Sequence, residues 1–92
     1  MGKNVFITGA NRGIGYKTAL AFANKGFDVG FSYVQNNEKA DILVEKLREI
    51  GVNSYKYKAD ASNYKVMEEV IDDYMSRVRK IDVLVCNAGI FL

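Results

Sequence analysis

Apolar and polar positions along the chain switch repeatedly between a period near two and a period near 3.6, and the switches predict alternating strands and helices. Asn4 to Thr8 is a short apolar run rich in β-branched residues, which predicts a first strand. From Gly13 to about Lys25, the positions Ile14, Ala19, Leu20, Phe22 and Ala23 suit a helix packed closely on a sheet, with Gly26 as its stop. Phe27, Val29, Phe31 and Tyr33 then alternate with small or polar residues, the signature of a second strand. The clearest helix follows: Ala40, Leu43, Val44, Leu47 and Ile50 fall at intervals of three and four. Asn36 or Asn37 is placed to cap its start and Gly51 to end it. Its other face, Glu38, Lys39, Glu45, Lys46 and Glu49, reads as solvated. A third strand from about Val52 to Ala59 carries Tyr55 and Tyr57 on one side and Lys56 and Lys58 on the other, which predicts a sheet edge. Ser62 is the expected cap of a third helix with Val66, Val70, Ile71, Tyr74 and Val78 facing inward. Ile81 to Cys86 is nearly continuous apolar sequence and predicts a strand buried on both faces. The order βαβαβαβ, with right-handed crossovers, predicts an α/β fold: an open, doubly wound parallel sheet in spatial order 3-2-1-4.

Composition narrows the picture without redirecting it. Ninety-two residues make one small domain, and nearly half of them are apolar. A net charge of +2 from near-balanced acids and bases gives no electrostatic case for nucleic acid. Arg77, Arg79 and Lys80 read as cations offsetting the dipole in the last turn of the third helix rather than as a basic patch. A single cysteine, no recognisable signal peptide and no apolar run of membrane-spanning length lead to the expectation of a cytosolic protein without a membrane role.

Chemistry concentrates where the first strand meets the first helix, at Thr8-Gly9-Ala10-Asn11-Arg12-Gly13-Ile14-Gly15. In a doubly wound sheet this is the crevice at the topological switch point. Gly9 permits a tight turn, Gly13 lets a pyrophosphate approach the backbone, and Gly15 lets the helix pack against the sheet. Free amides at the helix start, with its dipole, would hold the phosphates. Glycines alone make only a loop; their place between a first strand and a first helix points to a nucleotide.

The spacing Gly-x-x-x-Gly-x-Gly after threonine resembles the short-chain dehydrogenase/reductase family, and two further segments match it. Asp60-Ala61 after the third strand is similar to the family's adenine contact, although Asp60 taken alone reads equally as a capping residue. Asn87-Ala88-Gly89 after the fourth strand is similar to the family's Asn-Ala-Gly segment beside the cofactor ribose, although taken alone it reads as a turn. Gln35-Asn36-Asn37-Glu38-Lys39-Ala40 further resembles the 3-oxoacyl-acyl-carrier-protein reductase branch. The resemblance implies a Rossmann-type fold, partial over residues 1–92. It implies a dinucleotide held by Thr8, Gly9, Asn11, Arg12, Gly13, Ile14 and Gly15 at the phosphates, Asp60 and Ala61 at the adenine, and Asn87, Ala88 and Gly89 at the ribose.

Cofactor choice turns on the end of the second strand, where an acid would bind the ribose hydroxyls of NAD. Ser32, Tyr33, Val34 and Gln35 stand there, none acidic. Arg12 is placed to pair with a 2′-phosphate, its other reading being an exposed loop residue. NADP is therefore expected ahead of NAD. Asp28 opens the second strand, roughly 15 to 20 Å from the cofactor edge at about 3.3 Å per residue, and reads as structural.

Cys86 is expected to be a small core residue, and the chain has no histidine to activate it or to build a metal site. The family's catalytic tyrosine is followed four positions later by lysine. The residues four beyond Tyr16, Tyr33, Tyr55, Tyr57, Tyr64 and Tyr74 are Leu20, Asn37, Ala59, Ala61, Glu68 and Val78. The resemblance thus implies the N-terminal, dinucleotide-binding half of an oxidoreductase that moves hydride between a nicotinamide and a carbonyl or alcohol carbon, truncated before the catalytic segment. No catalytic residue is assigned. The alternatives are a non-catalytic nucleotide-binding module and an inactive gene fragment. Strand 4 is also expected to leave an apolar outer edge, and complete relatives commonly form oligomers.

Overall fold

A computed structural model describes residues 2–10 and 13–87. Strands β1 (Asn4–Thr8), β2 (Asp28–Tyr33), β3 (Ser54–Lys58) and β4 (Val83–Cys86) alternate with helices α1 (Gly13–Asn24), α2 (Asn37–Ile50) and α3 (Tyr64–Val78). The strands are parallel and lie in the order β3-β2-β1-β4, as the alternation predicts. The sequence therefore specifies a Rossmann-like doubly wound sheet, with β1 at its centre and the reversal of strand order beside it.

Each face has its own core. Val5, Ile7, Val29, Phe31 and Tyr33 pack beneath Ala19 and Ala23 of α1 and Ala40, Leu43, Val44 and Leu47 of α2. On the opposite face Phe6 meets Val70 and Tyr74 of α3, with Tyr55 and Tyr57 against them. Period-two alternation divides β1 between the two cores: Val5 and Ile7 point one way and Phe6 the other. The Tyr74 ring lies so close to β2 that a Cβ on Gly30 would sit 2.5 Å from its Cε1. Its phenol donates to the Val5 carbonyl at 2.9 Å, so the largest buried side chain also satisfies its one polar group.

Several sequence expectations shift. Ser62 does not cap α3. The Asp60 carboxylate takes both the Ser62 amide and its hydroxyl, so the helix begins one residue later, with Asn63 Oδ1 accepting from the Val66 amide at 3.2 Å. Asn36 is the cap of α2, in a left-handed conformation, and Gly51 closes that helix as expected. Of the three basic residues, only Arg77 lies in the last turn of α3, where it pairs with Asp73; Arg79 follows the helix and Lys80 turns to Asp82. Ile14 is 67% exposed and Ile50 39% exposed, so neither is a core position.

The largest correction concerns β4, which is not buried on both faces. Val83 and Val85 pack into the core beneath α1 and α2, but Leu84 and Cys86 are exposed on the face they share with Phe6 and Thr8. Helix α3 lies over the aromatic residues of β1 and β3 rather than over β4. The expectation that Cys86 is a core residue fails for the same reason. No described helix is long and apolar enough to cross a membrane.

Candidate functional site

The carboxyl ends of β1, β2 and β4 meet at one crevice, because the parallel register sets Thr8 between Ser32 and Cys86. After Thr8 the backbone turns sharply: Gly9 has φ of 67° and Gly13, opening α1, has φ of 60°, a region costly for residues with a Cβ. Two amides of this turn are already engaged, since the Ser32 carbonyl accepts from Gly9 at 2.9 Å and from Ala10 at 3.2 Å. Sequence reasoning treated Ser32 only as a residue that is not an acid. Its carbonyl holds the loop to β2, a backbone role that no side-chain pattern advertises.

Gly15 shows why the loop needs its last glycine. A Cβ there would lie 2.5 Å from the Gly9 carbonyl oxygen, 2.7 Å from Asn87 Nδ2 and 2.9 Å from Ala10 Cα. The first turn of α1 can therefore approach the loop only without a side chain at this position. Gly13 differs, having nothing within 4 Å of where a Cβ would stand. The first three amides of α1, from Gly13 to Gly15, have no intrahelical partner at a helix start, and no acidic residue occupies that first turn. An open glycine, unspent amides and an uncompensated positive helix end together suit an anion, so the residues present fit the phosphates of a dinucleotide.

Asn87 ties the fourth strand to this loop by two bonds. Its amide donates to Thr8 Oγ1 at 2.9 Å, and its Nδ2 donates to the Gly9 carbonyl at 3.2 Å. Thr8 is buried, and its hydroxyl acts here as the fixed point for the segment after β4. The sequence pointed to both residues but not to their mutual bond. Ala10, the loop's first residue beyond the turn, is fully buried in the core beneath α1 and α2, which anchors the loop from below.

Asp60 lies just beyond β3, exposed, with Ala61 half-buried beside it. Asp60 is not the cap of α3, a place that Asn63 takes. One carboxylate oxygen, Oδ1, closes a turn by accepting from the Ser62 amide and hydroxyl at 2.9 and 2.8 Å. These bonds to the charged form hold its carboxyl below the usual carboxylate range. The second oxygen takes no hydrogen bond from the described residues and is free to accept from an amine.

Asp28 lies at the far end of β2, opposite Asn4, where its carboxylate accepts from the Asn53 amide at 2.9 Å. It braces the start of β3, in keeping with the structural reading. Asn11, Arg12, Ala88 and Gly89 lie outside the described residues. Ile14 is described and projects from the start of α1 into solvent. Two tyrosines are already engaged as structural donors: Tyr74 bonds the β1 backbone and Tyr57 donates to Asp73 at 2.6 Å. Among the described residues no cluster of metal-ligating side chains forms.

Comparison with known proteins accords with this geometry. The family model described as short chain dehydrogenase matches residues 3–91. A 3-oxoacyl-acyl-carrier-protein reductase of Staphylococcus epidermidis is 38% identical over 98% of this chain and 37% of its own length. An L-rhamnose 1-dehydrogenase (NADP(+)) of Thermoplasma acidophilum is 36% identical over 97% of the chain and 35% of its own length. Among solved structures, a short-chain dehydrogenase/reductase from Serratia marcescens superposes with a TM-score of 0.93 at 28% identity, covering 99% of this chain and 37% of that one. The chain thus spans little more than a third of the relatives it matches.

Proposed function

Because the chain belongs to the short chain dehydrogenase family, we propose that residues 1–92 form the N-terminal dinucleotide-binding half of a Rossmann domain and that they hold NADP(H). The observation that carries this reading is the cradle around Gly15, where the loop, the start of α1 and Asn87 converge so closely that no Cβ fits. In this reading the amides from Gly13 to Gly15, with Thr8, Gly9, Asn11 and Arg12 around them, hold the phosphates. The free oxygen of Asp60 accepts from the adenine amine with Ala61 against the ring, and Asn87, Ala88 and Gly89 border the ribose.

The preference for NADP rests on the end of β2, where Ser32 to Gln35 place no carboxylate to repel a 2′-phosphate. Arg12 supplies the guanidinium for that phosphate. The relative from Thermoplasma acidophilum carries NADP(+) in its name. The nicotinamide, when bound, supplies hydride transfer to or from a carbonyl or alcohol carbon of a substrate. The residues described here bind and orient that cofactor: Asn87 fixes the loop, Ser32 holds its turn, and the amides of α1 receive the charge. Proton transfer to a substrate oxygen is not assigned to any residue of this chain.

Titration of the purified chain with NADPH and NADH, followed by nicotinamide fluorescence and melting temperature, tests the reading. NADPH should bind and raise the melting temperature, more strongly than NADH. Arg12→Ala should weaken NADPH by about tenfold or more, the scale of one charge-assisted contact, and leave NADH nearly unchanged. Equal losses for the two cofactors would remove the NADP preference, and no binding of either would remove the proposed function.

A further inference from the structure

We draw no further inference here: the strongest candidate, the exposed sheet face at Leu84 and Cys86 beside the outer edge of β4, which pairs with no described strand, carries nothing, since Val83–Cys86 bears no charge to select a partner and nothing in the structure shows what covers it.

Discussion

At the scale of single residues, two close approaches carry much of the specificity of this fold. Gly15 lets α1 meet the glycine loop, and Gly30 lets the Tyr74 ring lie close against β2. The first was legible because it belongs to a recognisable glycine pattern. The second was not, because a glycine in a strand gives no hint of which ring will cover it. Tyr74 read simply as an apolar helix position, yet its hydroxyl holds the Val5 carbonyl in a buried setting, and burial pushes the phenol well above its usual pKa. Tyr74→Phe keeps the ring and deletes that bond, so it should cost about 1 kcal/mol in denaturant unfolding, within the range for a buried hydrogen bond. No loss would mean that the bond contributes nothing beyond packing.

Helix starts show at the scale of elements what sequence pattern resolves and what it leaves open. The periodicity of α2 and α3 identified their inward faces, and Gly51 its helix end, because burial follows period and a left-handed stop needs glycine. The caps were ambiguous by one residue, since Ser62 and Asn63 are both good capping residues. What separates them is Asp60, which captures Ser62 in a turn and leaves Asn63 to accept from Val66. Asn63→Ala should therefore cost about 1 kcal/mol in thermal or chemical unfolding, with Ser62→Ala costing less. The reverse order would restore Ser62 as the cap. The misreading of β4 has a similar origin: an apolar run records what a strand can be buried against, while the position of α3 decides which face is covered.

For the whole molecule, the ties between chain-distant segments set the response to pH. Asp82 joins the start of β4 to β1 by accepting from the Asn4 amide at 2.7 Å, which holds its carboxyl below the usual range, with Lys80 adding to the effect. Asp73 is lowered by the Tyr57 hydroxyl and by Arg77. Groups with depressed folded pKa values contribute stability above their unfolded values, near 3.9 for aspartate, and lose it as pH falls through the folded ones. Tyr57 acts in the opposite sense. Burial and then the Asp73 bond push its phenol up to about 12, so its contribution is complete below its unfolded value of 10.0 and lost as pH rises through the folded one. Melting temperature should thus stay level through neutral pH and fall at both extremes, and Asp82→Asn should blunt the acid limb. A profile unchanged by that substitution would show that the Asn4–Asp82 tie does not couple β1 to β4.

Strand order and both cores follow from the alternation of periods, and the place of the crevice follows from the order. The joining of Thr8, Ser32 and Asn87 does not, because it is made largely of backbone groups. The most direct measurement of the central claim is an amide-resolved titration of the labelled chain with NADPH. The amides of Gly13, Ile14 and Gly15 should shift most, with Asp60, Ala61 and Asn87 moving over the same concentration range. Shifts confined to other surfaces, or a loop that stays unperturbed while NADPH saturates, would contradict the assignment of this crevice to the dinucleotide.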